Sequence, residues 1–476
     1  MGWDIVIGLE IHVELATKSK IFCACSAAFG GEPNTQCCPI CAGMPGTLPV
    51  LNEKVLEYAV KAGLALDCHI PNRNQFDRKN YVYPDLPKAY QTSQLFLPFA
   101  LDGSVTITLE DGSEKTIGIR EIHMEEDAGK LVHGAYGDET LLDYNRGCVP
   151  LIEIVSNPDM TDAYEVLAYL EHVKKTLEYL EVSDCQMQEG SMRADVNLSV
   201  RPTGTTEYGT RTEMKNLNSF RAISRAIAYE AQRQIELLEA GGEVLQETRR
   251  WDDNKCESFA MRSKENAQDY RYFPDPDIPP IVLEDSYIEQ LRNSMPEFSK
   301  ARAKRFVEEF SLAEKDASIL TNSKHTAVLF EEAAKQAKTP KEVATWMLGD
   351  MMYHMSNRGI SEKEIQIQPV ALKELADAVT DGKINRQAGK KVFEYIFDGG
   401  TDVAGYIEKE GLAQVNDDGL IVETIEKILA ENEKAVLEYR DGKEKAFGFL
   451  VGQVMRELKG KGNPTSINQI LKEKLG

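Results

Sequence analysis

No run of eighteen apolar residues occurs anywhere in this 476-residue chain, which excludes a membrane-spanning helix. The Met1-Gly-Trp3 start has neither a basic region nor an apolar stretch of the signal-peptide kind, so a cytoplasmic protein is expected. Neither Gly-x4-Gly-Lys-[Ser/Thr] nor a strand-linked Gly-x-Gly-x-x-Gly is present, so any nucleotide must be held without a phosphate loop or a dinucleotide fold. Positive charge is also short. The 55 Lys and Arg face 77 Asp and Glu, a formal charge of −22, which argues against non-specific coating of nucleic acid. An RNA gripped through a local basic patch remains compatible with that balance. Internal repeats and low-complexity tracts are absent. Apolar content of 42% and charged content of 28% are ordinary, and the length predicts two to four domains.

Cysteine is sparse, yet five of the nine fall between Cys23 and Cys41. Two short pairs a dozen residues apart form a zinc-knuckle pattern, because thiolates on tight turns can close a tetrahedral site without a large core beneath. Cys23, Cys25, Cys38 and Cys41 are the natural ligands, with Cys37 spare. Four thiolates leave no open position, so such a zinc is structural. Packed free thiols or disulfides are the alternative, and nothing in the chain looks secreted. Cys68, Cys148, Cys185 and Cys256 are isolated and read as ordinary buried thiols.

Residues 1–292 mix two periodicities and predict an α+β domain on antiparallel sheet. Asp4–Glu14 alternates, with Ile5, Ile7, Leu9, Ile11 and Val13 opposite Gly8, Glu10, His12 and Glu14. Asp111-Gly112 between Val105–Glu110 and Lys115–Ile122 predicts a hairpin. Arg193–Arg201 alternates again, placing Arg193, Asp195 and Asn197 on one face, and Tyr208–Asn216 is expected to return beside it. Helices are predicted over Asp162–Leu180 and Ser219–Ala240, the second stopped by Gly241-Gly242. Beyond Pro279-Pro280 the pattern becomes amphipathic helix, giving an all-helical domain over 293–405 and a small helical tail domain over 406–476. Thr339-Pro340-Lys341-Glu342 and Ser361–Glu364 read as capping-box starts.

The densest charged segment is His123-Met124-Glu125-Glu126-Asp127. Adjacent carboxylates repel unless solvated or neutralised, and Mg²⁺ prefers oxygen ligands of this kind. The bland alternative is a solvated surface. Polar faces on three strands, with Glu10, His12 and Glu14, then Arg193, Asp195 and Asn197, then Glu213 and Lys215, suggest a concave sheet lined for a charged ligand. His12 is equally compatible with a satisfied core histidine. Arg78-Lys79-Asn80-Tyr81 through Lys88-Ala89-Tyr90, and Asp269-Tyr270-Arg271-Tyr272-Phe273, combine cations for phosphate with rings for stacking, or are loops whose tyrosines pack. In the tail, Gly448 and Gly452 cost roughly 1 kcal/mol each in a helix relative to alanine. Either a neighbouring helix or an RNA backbone approaches there, flanked by Lys443, Lys445, Lys459 and Lys461.

Taken together, these segments resemble the GatB family of tRNA-dependent amidotransferase components. The matching stretches include Ile7-Gly-Leu-Glu10-Ile-His12-Val-Glu14, Cys38-Pro-Ile-Cys41-Ala-Gly-Met-Pro, Phe76-Asp-Arg-Lys-Asn-Tyr81, His123-Met-Glu-Glu-Asp-Ala-Gly-Lys130, Pro150-Leu-Ile-Glu-Ile-Val155, Glu213-Met-Lys-Asn216 and Ala446-Phe-Gly-Phe-Leu-Val-Gly-Gln453. The likeness runs over nearly the whole chain. The archaeal relative GatE carries an inserted domain for which this chain has no room. The resemblance implies a cradle domain, a helical domain and a tRNA-binding tail, working with an amidase-type glutaminase, GatA, and with GatC. It also implies ATP-dependent phosphorylation of the side-chain carboxylate of Glu-tRNA(Gln) or Asp-tRNA(Asn), followed by amidation with ammonia. On that basis Glu10, His12, Glu125 and Glu213 are expected to hold Mg²⁺, with Glu126 and Asp127 in the same catalytic group. Lys79, Lys88, Arg193 and Lys215 are expected to offset phosphate charge. A non-catalytic tRNA-binding component is the rival, but it gains nothing from concentrated carboxylates where phosphates approach. A self-contained ligase lacks any visible glutaminase nucleophile set.

Overall fold

A computed structural model describes residues 2–134, 137, 139–263, 269–414, 418–441, 443–458, 462 and 464–476. The chain divides into two compact units, Met1–Phe298 and Ser299–Gly476.

The first unit is organised on an eight-stranded sheet. Its strands are β1 (Trp3–Glu14), β2 (Ala100–Thr108), β3 (Glu114–Glu126), β4 (Pro150–Ser156), β5 (Met192–Pro202), β6 (Thr212–Lys215), β7 (Glu247–Asp252) and β8 (Glu257–Ser263), in the spatial order β8-β7-β6-β5-β1-β4-β3-β2. The hairpin at Asp111-Gly112 joins β2 to β3, and Gly112 takes the positive φ of 83° that a side chain would resist. Alternation along β1 sorts its residues: Ile7, Leu9, Ile11 and Val13 are buried, while Glu10, His12 and Glu14 stay partly open. The apolar face is covered by α1 (Glu53–Ala65), α2 (Ala163–Tyr179) and α3 (Phe220–Glu239). Asp162 and Ser219 cap α2 and α3 by accepting from the Glu165 and Ala222 amides.

The sheet departs from the antiparallel expectation in one place, because β6 and β7 pair parallel. Parallel neighbours need a long crossover, and α3 provides it. The expected return strand over Tyr208–Asn216 is shorter than its pattern suggests: the ladder with β5 covers three pairs, Leu198↔Thr212 to Val196↔Met214. A small sheet of Asp77–Asn80, Tyr90–Ser93 and Phe273–Pro274 lies against β3.

The second unit is helical and has two apolar clusters, one built from residues such as Phe306, Phe330, Trp346 and Phe393, the other from Ile421, Ile425, Leu450 and Leu471. Thr339 precedes helix Pro340–Trp346 without a side-chain cap bond. Ser361 does form its capping box, but the helix it opens is a single 3₁₀ turn, Glu362–Glu364. The turn stops at Ile365, whose backbone is already extended (φ −65°, ψ 126°). Among the described residues, no helix is long and apolar enough to cross a membrane.

Candidate active site

Strand register carries the polar residues into rows across the sheet. His12 on β1 faces Arg193 on β5 and Glu153 on β4, and Glu153 in turn faces His123 on β3. Two residues along, Glu10 faces Asp195, and Asn197 faces Glu213 on β6. The result is two carboxylate clusters side by side. In the first, His12, Glu125 and Glu153 each offer a ligand atom, all within 4.8 Å of one another; Glu10, Asp195 and Glu213 do the same in the second. His12 Nε2 lies 3.5 Å from Glu125 Oε1 and 3.9 Å from Glu153 Oε1.

The four residues expected to hold Mg²⁺ divide between two clusters, Glu10 and Glu213 in one, His12 and Glu125 in the other. Glu153 and Asp195 complete the sets. Asp195 was visible as a polar-face residue. Glu153 stands as one carboxylate in an otherwise apolar strand, Pro150–Ser156, where an unexplained charge was the available signal.

The carboxylates are driven apart electrostatically. Burial and the Glu153 charge push Glu125 above the usual carboxylate range. Glu153, despite burial, is brought down to about 2 by His123, 3.6 Å away, and by the nearby His12. His123, despite burial, rises to about 9 because its ring lies 3.5 Å from Glu121 and 3.6 Å from Glu153. Burial also raises Glu10, which accepts from Asn197 Nδ2 at 3.0 Å. For Glu213 burial is outweighed by Lys215, 2.9 Å away, and by a hydrogen bond from Thr248, so its pKa falls. Such a split between neighbouring acids marks a site built to bind or to move charge. Three converging anionic or imidazole donors suit a hard divalent cation in each cluster, and the buried Asn197 Oδ1, without a hydrogen-bond partner, adds an oxygen beside the second.

Other candidates are already engaged. Glu126 points to the opposite side of β3 from Glu125, as period two requires, and is 2% exposed. It accepts from Lys88 Nζ, from the Thr92 amide at 2.8 Å and from the Cys148 thiol at 2.8 Å. Asp127 binds Arg146 at 3.0 Å and Arg193 at 3.1 Å. Beside it, burial and Asp127 raise Glu14 to about 8. Lys88 and Arg193 are thus paired with carboxylates, whereas the half-buried Lys79 rests over the Tyr270 ring at 5.1 Å and is held charged by Glu125 and Glu153 against its burial.

Away from this face, Cys23, Cys25, Cys38 and Cys41 converge with their sulfurs within 4.8 Å of one another. Cys37 turns aside to Asn145 Oδ1 at 3.7 Å, which removes it from the set. A thiol hydrogen bond from Cys23, the Cys38 amide and the Lys20 ammonium bring Cys41 down to about 4 despite burial. The chemistry of four sulfurs fits a tetrahedral zinc. Of the isolated cysteines, Cys68, Cys148 and Cys185 are buried as expected; Cys256 is exposed, because it lies in the tight turn between β7 and β8.

In the tail, helix Glu444–Glu457 carries Gly448 and Gly452 with open space where a Cβ would stand, so no neighbouring helix among the described residues explains them. Lys443 and Lys445 are exposed beside them. Lys459 and Lys461 lie outside the described residues.

Fold and site together define a class: an α+β sheet scaffold with paired metal-ready carboxylate clusters, joined to helical modules. Residues 5–289 match the GatB/GatE catalytic domain and residues 328–475 match the GatB domain, and the chain belongs to that family. It is 57% identical over 473 residues to the B subunit of the aspartyl/glutamyl-tRNA(Asn/Gln) amidotransferase from Lachnoclostridium phytofermentans, covering 99% of each chain. The proteins of the same name from Caldicellulosiruptor bescii and Thermoanaerobacter pseudethanolicus are 54% and 53% identical, over 100% of this chain and 99% and 100% of theirs.

Proposed function

We propose that this chain is the GatB component of an aspartyl/glutamyl-tRNA amidotransferase and carries the ATP-dependent half of its reaction. A carboxylate is a poor electrophile, so amide formation in water requires an acyl phosphate. The side-chain carboxylate of the misacylated tRNA attacks the γ-phosphorus of ATP, and ADP leaves. Ammonia then displaces phosphate and gives up a proton. Because the substrate's own carboxylate is the nucleophile, the chain needs none, and its work is positioning and charge neutralisation.

The observation that carries this reading is the pair of carboxylate clusters on one sheet face. Glu10, Asp195 and Glu213, and His12, Glu125 and Glu153, would hold Mg²⁺, which when bound supplies charge neutralisation at the transferred phosphoryl group. Lys79 beside the first cluster and Lys215 within the second, there paired with Asp195 and Glu213, are the ammonium groups that would offset phosphate charge. Arg193 and Lys88 hold Asp127 and Glu126 in place behind them. Zinc at the four cysteines ties down the loop that follows β1. Exposed Lys443, Lys445, Gly448 and Gly452 present a helix face on which an RNA backbone can lie closely. Ammonia loses nucleophilicity when protonated, so a shielded path from a GatA-type glutaminase, held with GatC, is part of the assembly.

The assembled complex should cleave ATP faster when misacylated tRNA is added. Glu125→Gln should abolish amide formation while tRNA still binds. Retained amidation by that variant would remove Glu125 from the chemistry.

A further inference from the structure

The Glu10–Asp195–Glu213 cluster contains a cation of its own. Lys215 Nζ lies 2.6 Å from Asp195 Oδ2 and 2.9 Å from Glu213 Oε1, bridging two of the three carboxylates whose oxygens converge within 4.8 Å. Lys215 follows Glu213 by two positions on β6, so both side chains rise from one face and the ammonium folds back over its neighbours. Glu10, the third member, takes its hydrogen bond from Asn197. The lysine side chain is 41% exposed, so it can leave without unpacking the core. A groove of about 500 Å³ shares Glu10 and its partner Asn197 with the cluster and is lined further by Ser199, Tyr208, Arg120 and Arg211. The Arg211 guanidinium, Arg120 (itself paired with Glu121 at 2.8 Å) and a 66% exposed tyrosine ring at the edge of an acidic cluster suit an anionic ligand that arrives with its own counter-cation.

We infer that Lys215 is a resident counter-cation which a divalent ion displaces, and that the freed ammonium then meets phosphate of a nucleotide in the adjoining groove. The inference rests on the reading that this cluster takes a divalent cation. An ammonium and a divalent ion compete for the same Asp195 and Glu213 oxygens, and the doubly charged ion gains more from three carboxylates than the ammonium gains from two. Lys215 thereby keeps the empty cluster neutral enough to fold. Metal arrival converts it from a pairing group into a phosphate ligand, so the groove is complete only when metal is present.

The test is Mn²⁺ binding to the full-length chain, read by electron paramagnetic resonance, for the unsubstituted protein and for Lys215→Met, Lys215→Gln and Glu10→Gln. Loss of one Mn²⁺ equivalent in Glu10→Gln establishes the underlying site. Lys215→Met and Lys215→Gln should then bind Mn²⁺ about tenfold more tightly, while their affinity for ATP in Mn²⁺ falls by about tenfold, the worth of one charged hydrogen bond in each case. Acylation of the Lys215 amine, followed by mass spectrometry on the unsubstituted protein, should rise several-fold on adding Mn²⁺ and needs no variant to fold. Weaker Mn²⁺ binding in the lysine variants, unchanged ATP affinity, or unchanged acylation would overturn the displacement role while the metal site stands. An unaltered Mn²⁺ count in Glu10→Gln would overturn the site and the inference together.

Discussion

Replacing Glu126 with alanine should destabilise the first unit by at least about 4 kcal/mol, and the structure says why. Glu126 accepts from the Lys88 ammonium, the Thr92 amide and the Cys148 thiol. Truncation leaves Lys88, 12% exposed, without its counter-charge, and leaves the Thr92 N–H without its acceptor. Breaking a buried ion pair from one side costs roughly 3–5 kcal/mol, and an orphaned buried donor adds about 1–3. The Tyr90 ring at 5.0 Å and the Phe22 ring at 5.8 Å contact the ammonium in the unsubstituted protein as well, so they do not offset the loss. A domain of this kind has about 5–15 kcal/mol in total, so the loss is severe but not complete. Removing both partners, Lys88→Met with Glu126→Gln, should cost less than Glu126→Ala alone, because no charge is left uncompensated. Urea unfolding of the full-length chain, followed by hydrogen exchange at the β3 and Thr92 amides, measures both variants. A change below about 1 kcal/mol for Glu126→Ala would refute the anchoring role and return Glu126 to the candidate chemistry.

Three further outcomes follow from the same physics. His123 has its pKa raised from 6.5 to about 9, so its pairing with Glu121 and Glu153 stabilises the metal-free fold fully below pH 6.5. That contribution, about 3 kcal/mol at most, should fade as pH rises through 9, and a His123→Gln variant should show a correspondingly flatter thermal stability profile between these pH values. Chelation of zinc, or Cys41→Ser, should loosen the loop over 23–41 to limited proteolysis while the carboxylate clusters still bind Mn²⁺; joint loss of both would show that the two centres are coupled. Gly448→Ala and Gly452→Ala should each stabilise the tail helix by up to about 1 kcal/mol, because their Cβ positions are open, and should weaken tRNA binding. Tighter or unchanged tRNA binding in both would count against close backbone approach.

The strands that carry the site were largely legible in the sequence. Alternation in β1 and β5 alone places Glu10, His12, Arg193 and Asp195 on polar faces, and Asp162 and Ser219 announce two helix starts. Three things were hidden. Glu153 sits in a strand buried on both faces, where the apolar neighbours mask its period. The Glu125-Glu126-Asp127 run reads as one cluster, although strand period sends its members to opposite sides and only Glu125 reaches His12. Partition into two clusters depended on register between β5 and β6, and strand pairing across sequence gaps cannot be read from local pattern. The glycines of the tail helix were an instance where local cost was visible and its cause was not; open space at both positions turns the question toward an external partner.

One sheet face with two separate divalent sites should bind two metal ions per chain. Counting bound Mn²⁺ on the full-length chain tests it most directly, alongside Glu10→Gln and Glu153→Gln. Two equivalents are expected in the unsubstituted protein, with one lost in each single variant and both lost in the double. A single equivalent abolished by either substitution alone would contradict it, and would mean that the two clusters are one shared shell.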